Sequence, residues 1–271
     1  MATTMERTGT APVHPAPRRP GPWPLEFYRS AVGKKWVMAL TGIAIMGFVF
    51  FHALGNLKVY FGAEDFNHYG EWLRELLVPF LPRTVLLWLM RGGLIAAFAL
   101  HIHAAYALTR MNHRANAGGY QQQRDWQAAT AASRSMRWTG VVFGLFLLFH
   151  LADLTWGTVN PDFVRGDVYR NFVATFERPA VAVIYIVANI ALGLHLFHGA
   201  WSMFQSLGLN NPRWNAWRRG FAVGFAALIA VVNITFPLAV LTGVVSADDN
   251  PDCTVRGDVI VSCTEYEEAH P

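Results

Sequence analysis

Five long apolar stretches constrain what this chain can fold into. A helix needs about 20 mostly apolar residues to cross the hydrocarbon core of a bilayer. Five segments meet this requirement, and they run from Trp36 to Asn56, Thr84 to Leu108, Trp138 to Trp156, Pro179 to Leu207 and Phe221 to Val245. Only 15% of the 271 residues are charged, whereas soluble domains average about 25%. The sequence therefore predicts an all-α integral membrane protein with five transmembrane helices.

The basic residues are divided unevenly between the two sides of these spans. The N-terminal tail and the second and fourth connections contain fourteen Lys and Arg, against seven in the other connections and the C-terminal tail. Because cytoplasmic loops carry the excess of positive charge, the N-terminus is predicted inside and the C-terminus outside. This topology explains the basic pI, and we predict no binding of nucleic acid. The predicted organisation is a disordered cytoplasmic tail (1–24), a five-span domain (25–245) and an acidic extracytoplasmic tail (246–271).

The two cysteines, Cys253 and Cys263, lie in the predicted outer tail. Two thiols are too few for a four-thiolate iron–sulfur cluster or a four-cysteine zinc site within this chain. Outside the cytoplasm they can form a disulfide that closes a small loop. An unpaired or metal-binding role is the alternative.

A repeat relates the first and third spans. Thr41 and Thr139 each begin a Thr-Gly pair and lie eleven residues before His52 and His150, respectively. The second and fourth spans also share a pattern, with His-Ala-Ala-Tyr beginning at His103 and His-Gly-Ala-Trp at His198. We interpret the first four helices as a duplicated helix pair, an arrangement that places ligands on facing helices of a bundle.

Each of the first four spans contains a histidine in its apolar region. Ionisable side chains are unfavourable within a membrane and usually mark function. The candidates are His52, His101 or His103, His150, and His195 or His198. Their depths, estimated from the helical rise, predict an outer pair, His52 with His150, and an inner pair, His103 with His195.

Two imidazoles on facing helices favour haem over other metal groups. Zinc or di-iron sites use carboxylate or cysteine ligands, which the spans almost lack. Haem needs two axial ligands and an apolar slot, and small residues would let the ring approach the helices. The spans supply such residues at Gly42, Gly47, Gly140, Gly144, Gly193 and Gly199. We predict a haem-binding bundle with two bis-histidine haems, which would carry electrons across the membrane.

Arg91 is the only basic residue deep within a span, so it needs an anion nearby. A propionate of the outer haem is one candidate partner and Asp153 is another. We favour a role for Arg91 as propionate anchor or part of a quinone pocket, with a structural Arg–Asp pair as the alternative. Arg134 and Arg137 would meet the inner propionates or remain solvated.

The histidine contexts, taken in order, resemble a known family. They are Phe51-His52-Ala-Leu-Gly-Asn56, His103-Ala-Ala-Tyr106, Arg137-Trp-Thr-Gly140 with Phe149-His150, and His195-Leu-Phe-His-Gly-Ala-Trp-Ser202. From about residue 25 to 245 the chain is similar to the cytochrome b membrane-anchor subunit of bacterial succinate dehydrogenases and fumarate reductases, of the five-helix dihaem b558 type. The resemblance selects His103 and His195 as ligands and leaves His198 to hydrogen-bond a neighbour or a propionate.

The resemblance implies a place in respiratory complex II, in a bacterial cell membrane. A flavoprotein with FAD oxidises succinate, an iron–sulfur subunit passes on the electrons, and the two haems b relay them to a quinone, usually menaquinone. The basic inner loops would dock the soluble subunits. His68 and Glu71 could handle the protons that quinone reduction requires. The quinone site is expected near the outer haem, with Asn56, Tyr69, Arg91, Asp153 and Trp156 as candidates.

Other interpretations of the histidines remain open. The cytochrome b of a hydrogenase or formate dehydrogenase usually has four spans and different spacing. A transporter would bind no haem and would show broken helices, whereas only Pro237 lies at a span midpoint. A di-iron oxidase needs clusters at the cytoplasmic face, where His113 stands alone. A Rieske-type cluster in place of haem needs two His and two Cys, so Cys253 and Cys263 would have to fold back onto the outer histidines.

Overall fold

The chain folds into helices along nearly all of its described length. The computed structural model describes residues 21–115, 131–247, 253–256 and 259–263. Within them lie helices α1 (Trp23–Arg29), α2 (Ala31–Asn56), α3 (Ala63–Glu75), α4 (Val85–Ala115), α5 (Ala131–Leu154), α6 (Val168–Phe176), α7 (Pro179–Ser206) and α8 (Asn215–Leu241), and strands β1 (Cys253–Arg256) and β2 (Val259–Cys263). Short 3-10 turns extend α2 at Leu57–Phe61 and precede α8 at Pro212–Trp214.

Five of these helices are long and apolar enough to cross a membrane. They cover Ala31–Phe61, Val85–Ala115, Ser135–Leu154, Pro179–Ser206 and Pro212–Leu241. The five-span prediction is confirmed, although α4 continues well beyond its predicted end at Leu108. Many large apolar side chains on these helices are exposed to the surroundings, as expected where helices meet lipid tails.

The spanning helices associate through α7. Helix α4 packs along α2, α5 packs along α7, and α7 also contacts α8 and α2. Small residues are buried where α7 and α8 approach each other, as is usual for helices in lipid. A Cβ on Gly193 would lie 3.1 Å from the Cβ of Ala230 on α8, so this glycine serves the α7–α8 contact.

The two ends of the bundle differ in what covers them. At one end, where α2 finishes and α7 begins, α3 and α6 contribute to a buried apolar cluster that includes Val59, Phe66, Phe172 and Phe236. We call this the α3–α6 end. At the other end α1 precedes α2 and α7 finishes, and we call this the α1 end.

Parts of both predicted tails lie among the described residues. Helix α1 begins at Trp23, two residues before the predicted boundary at 25, and residues 1–20 lie outside the described residues. Strands β1 and β2 form an antiparallel pair in which Cys253 stands opposite Cys263. This short hairpin lies outside the helical spans, in a segment where Val, Ile and Thr favour strands. The disulfide stays a prediction.

Candidate site: two histidine pairs between facing helices

His52 on α2 and His150 on α5 lie together near the α3–α6 end. Their ring centroids are 5.9 Å apart and the ring planes are nearly perpendicular, at 85°. One turn earlier on each helix an aromatic ring supports the histidine. Phe48 stacks on His52 at 5.3 Å, and Phe146 contacts His150 at 5.9 Å. The structure thus brings together the two residues of the predicted outer pair.

A chain of polar groups leads from His150 to the surface of the bundle. The Tyr185 hydroxyl on α7 lies 3.3 Å from His150 Nδ1 and 3.2 Å from Asp153 Oδ2. The other carboxylate oxygen of Asp153 accepts a hydrogen bond from Arg178 Nη2. Asp153 is fully buried, so these contacts supply the compensation that a buried charge requires.

The second pair is formed by His101 on α4 and His195 on α7. Their ring centroids are 6.5 Å apart, at an interplanar angle of 64°. The prediction paired His195 with His103, and the structure differs on this point. Two residues along a helix correspond to a rotation of roughly 200°, so His101 and His103 point in nearly opposite directions. His103 instead stacks on Tyr28 of the N-terminal segment at 5.8 Å and contacts its hydroxyl through Nδ1.

The Thr-Gly pairs hold the rings of the second histidine pair. His101 Nδ1 lies 3.2 Å from Thr41 Oγ1 and 3.1 Å from the Met38 carbonyl oxygen. His195 Nδ1 lies 3.4 Å from Thr139 Oγ1. Both threonine hydroxyls donate to carbonyl oxygens of their own helices, so each can accept a proton from Nδ1. This leaves Nε2 of both histidines able to bind another group.

Glycine at the next position lets each ring lie against the neighbouring helix. A Cβ at Gly42 would lie 3.4 Å from His101 Cε1, and one at Gly140 would lie 3.3 Å from His195 Cε1. Larger side chains at these positions would displace the rings. Not all the predicted glycines act in this way, because Gly193 serves α8 and Gly47 lines an apolar groove near Phe221 and Phe225.

The donor set and spacing of both pairs fit a haem. An imidazole nitrogen binds a metal ion at about 2.0 Å, so two rings on opposite sides of one ion have centroids roughly 6.4 Å apart, if each nitrogen is about 1.2 Å from its ring centre. The observed separations of 5.9 and 6.5 Å are close to this value. Metal-binding histidines also donate their second N–H to a carbonyl, carboxylate or other acceptor, and the Nδ1 contacts of His101, His150 and His195 meet this condition.

Arg91 and Asp153 do not form the ion pair that was one alternative from the sequence. Arg91 is exposed, with its guanidinium carbon 5.0 Å from the Trp88 ring centre. Asp153 is bonded to Arg178 and Tyr185 instead. Nothing in the pattern of the spans marked Arg178, because it lies just before α7. Tyr185 was missed because one tyrosine in an apolar helix is indistinguishable by pattern from a packing residue.

The remaining predicted residues are placed as follows. Arg137 is exposed at the α1 end, 3.5 Å from His113 Nε2. His198 is buried, and its Nε2 has no hydrogen-bond partner among the described residues. Asn56 ends α2. Trp156 lies just beyond α5 and is 57% exposed.

A cavity of about 310 Å³, open to the surroundings and with largely apolar walls, lies at the α3–α6 end. Tyr69 stacks on Trp72 and packs so closely on Gly55 that a Cβ there would lie 2.7 Å from its ring. Burial raises the pKa of the Tyr69 hydroxyl above its ordinary value. The cavity is lined by Lys58, Asp65, His68, Tyr69 and Trp72.

This lining includes one of the five predicted quinone residues, Tyr69, and one of the two residues predicted to handle protons, His68. The other, Glu71, forms ion pairs with Arg74 and Arg83. Lys58, Asp65 and Trp72 were not predicted. Lys58 belongs to the short turn after α2, and only the fold shows that this turn approaches α3.

Part of the sequence matches the model of a known protein family. Residues 110–234 match the family model described as the succinate dehydrogenase/fumarate reductase transmembrane subunit. This region contains His150, His195, Asp153 and Tyr185, but neither His52 nor His101. A search of curated proteins and a search of solved structures each give no match. Over helices α5 to α7 and most of α8, the chain is therefore similar to the membrane subunit of succinate dehydrogenases and fumarate reductases.

Proposed function

We propose that this protein is the membrane anchor and electron-transfer subunit of a succinate:quinone oxidoreductase. The two histidine pairs, each held between facing apolar helices, carry this proposal. The five spans and the family match over residues 110–234 support it. Oxidation of succinate would take place in a partner flavoprotein with FAD, and an iron–sulfur partner subunit would deliver the electrons.

Each histidine pair would hold one haem b. His52 and His150 would hold one, and His101 and His195 would hold the other. We assign His101 in place of His103 because His101 lies opposite His195 and His103 is engaged by Tyr28. A haem held by two histidines would supply one-electron transfer. His198 and Arg137 stay candidates for propionate contacts at the α1 end, and Arg91 stays one at the other end.

The chain's own residues fix the rings for this task. Thr41 and Thr139 accept from Nδ1 of the α1-end histidines, which leaves Nε2 of each ring available to a metal ion. Phe48 and Phe146 hold the rings of the other pair. Along α2, Thr41 and His52 are eleven residues apart, or about 16 Å. The two pairs therefore lie at two depths of the bilayer, as an electron path across it requires.

The cavity at the α3–α6 end is the site we assign to the quinone. Its volume of about 310 Å³ is at the lower end of the range for small-molecule sites. The pocket combines an aromatic wall of Tyr69 and Trp72 with the polar groups of Lys58, Asp65 and His68. The Tyr69 hydroxyl is protonated at neutral pH, and burial raises its pKa further above the ordinary value of 10.0, so the hydroxyl can donate to a quinone oxygen. His68 would supply protons, since reduction of a quinone such as menaquinone takes up two.

The distribution of basic residues gives the orientation within this proposal. The α1 end and the basic connections would face the cytoplasm of a bacterial cell and dock the flavoprotein and iron–sulfur subunits. The α3–α6 end, with the quinone cavity, would face the outside.

The test is a dithionite-reduced minus oxidised spectrum of the purified complex, with haem per polypeptide measured as pyridine haemochrome. We expect two b-type haems per chain. Absence of haem would contradict the proposal, and assays of iron and acid-labile sulfide would then identify a cluster in its place. Replacement of Cys253 and Cys263 by Ser should leave the spectrum and electron transfer unchanged.

A further inference from the structure

The two histidine pairs differ in what their Nδ1 atoms contact. At the α1 end, Nδ1 of His101 and His195 meets threonine hydroxyls and a backbone carbonyl, all neutral. At the α3–α6 end, His150 reaches a buried carboxylate through one tyrosine. We call the group formed by Tyr185, Asp153 and Arg178 the Asp153 network.

The Asp153 network is built as a rigid unit. The guanidinium of Arg178 donates to the Val159 carbonyl at 2.9 Å and to the Ala174 carbonyl at 3.2 Å, besides its bond to Asp153. These contacts tie it to the connection after α5 and to α6. The Tyr185 ring is enclosed by aromatic rings, with Phe146 and Phe176 both at 4.9 Å. Neither side chain can swing away from Asp153 without disrupting these contacts.

The direction of the hydrogen bonds is consistent along the network. If Nε2 of His150 binds a metal, Nδ1 carries the proton and donates to the Tyr185 oxygen. Tyr185 then donates its own proton to Asp153 Oδ2, and Arg178 donates to Oδ1. Along the path from His150 to Asp153 each proton has one acceptor, and this fixes a single tautomer and ring orientation for His150.

The stability of the fold alone does not require the ion pair between Asp153 and Arg178. Well-packed apolar residues in place of a buried ion pair are often as stable or more stable. Asp153 lies one tyrosine away from only one of the two histidine pairs, with Arg178 behind it, and this placement indicates a role at that pair.

We propose that the Asp153 network positions His150 and sets the reduction potential of the haem held by His52 and His150, separately from that of the other haem. This inference rests on the proposed function. Reduction of the iron adds one electron to the site, so a nearby negative charge opposes it and a nearby positive charge favours it. In a region of low dielectric constant both effects are stronger than in water. Asp153 therefore lowers the reduction potential, and Arg178 offsets part of that effect.

The test is a redox titration of the purified complex at fixed pH, resolving the two haem midpoints in wild type and variants. Asp153→Asn, which removes the charge but keeps the shape, should raise the midpoint of the haem at the α3–α6 end. Arg178→Gln should lower it, and Arg178→Lys, which keeps the charge, should stay near wild type. Tyr185→Phe should change the low-spin EPR signal of this haem, because His150 loses its Nδ1 acceptor.

Tyr169→Phe is the matched control for the loss of a tyrosine hydroxyl. Tyr169 is as buried as Tyr185, and its hydroxyl donates to the Ser246 carbonyl at the same end of the bundle. It should leave both midpoints and both EPR signals unchanged.

Opposite shifts for Asp153→Asn and Arg178→Gln, with the other midpoint constant, would support the proposal. Shifts in the same direction, equal shifts at both haems, or two haems with unmoved midpoints would overturn it and leave the proposed function standing. If Asp153→Asn does not assemble, the Arg178 and Tyr185 variants decide between these outcomes. A wild-type complex without haem would overturn the proposed function and this inference together.

Discussion

Each end of the bundle holds a pair of histidines, but the groups that contact the two pairs differ. Both place a pair of imidazoles between facing helices at nearly the same separation, 5.9 and 6.5 Å. The α1-end pair is held by hydroxyl and carbonyl oxygens and by close approach to two glycines. The α3–α6-end pair is held by aromatic side chains and by Tyr185 with its ion pair, and a cavity opens at the same end of the bundle.

This difference shows that ligand identity and ligand environment are separable. The identity of the ligands, two histidines, determines what can bind, and it is the same at both ends. The environment of the ligands determines the orientation of the imidazole rings and the charge near them. It differs because α3, α6 and the start of α7 cover only one end. The following variants test each part of the comparison in turn, beginning with the ligands.

The largest effect is expected from the ligands themselves. His101→Ala should remove one of the two haems, because alanine offers no nitrogen to the iron, while His103→Ala should leave both in place. The two residues lie on one helix and differ only in direction, so His103→Ala is the matched control. Haem per chain by pyridine haemochrome gives the answer, and loss of haem in His103→Ala alone would contradict our assignment. His52→Ala should likewise remove only the haem at the other end.

The next effect is expected at the glycine contacts. Gly140→Val would drive a branched side chain into the His195 ring, whose Cε1 already lies 3.3 Å from a Cβ position. We expect the haem at the α1 end to fall to less than about half occupancy and the other haem to stay. Gly224→Val on α8, where a Cβ meets nothing within 4 Å, controls for valine replacing a helical glycine. Equal loss of both haems would indicate general misfolding.

A smaller effect is expected at the threonines. Thr41→Val and Thr139→Val keep the side-chain shape but remove a hydroxyl acceptor of the Nδ1 proton, while the Met38 carbonyl still contacts His101 Nδ1. Loss of such a contact typically weakens metal binding about 10–100-fold, and haem transfer to apomyoglobin measures it. Thr109→Val is the control, because the Thr109 hydroxyl on α4 donates to the Ala105 carbonyl of its own helix, away from both histidine pairs. Equal transfer rates in the three variants would contradict a holding role for Thr41 and Thr139.

The smallest effect is expected at the cavity that opens at the same end as the His52–His150 pair. Tyr69→Phe removes one hydrogen bond of about 0.5–1.5 kcal/mol, so the KM for quinone should rise roughly 2- to 13-fold. Tyr60→Phe is the control, because its hydroxyl donates to Thr235 outside the cavity lining. An equal rise in KM for both variants would remove Tyr69 from the quinone site.

The pH dependence of this effect follows from the pKa of Tyr69. Burial raises the pKa above its ordinary value of 10.0. The hydroxyl therefore stays a donor below pH 10 and is lost only as the pH rises through the higher value. The ratio of KM between Tyr69→Phe and wild type should be constant from pH 6 to about 9.5. If this ratio decreases between pH 6 and about 9.5, the Tyr69 hydroxyl ionises at a lower pH than we expect.

The sequence predicted the spans because their signal is local. Each needs only an apolar run of sufficient length, which can be counted residue by residue. His52 and His150 were paired for a similar reason, since both lie eleven residues after a Thr-Gly pair at similar depth. The choice between His101 and His103 could not be made this way. It depends on the rotation of α4 about its axis, which packing against α2 decides.

By itself the sequence determined that the chain is a helical membrane protein with five spanning helices, and that each of the first four spans contains a histidine. These follow from hydrophobicity and helical rise, which act within each segment. Only the tertiary structure decided that Thr41 and Thr139 hold histidines, that Asp153 pairs with Arg178 rather than Arg91, and that Lys58 meets His68 and Tyr69 around one cavity. Such contacts join residues far apart in the chain, and their geometry depends on how the helices pack against one another.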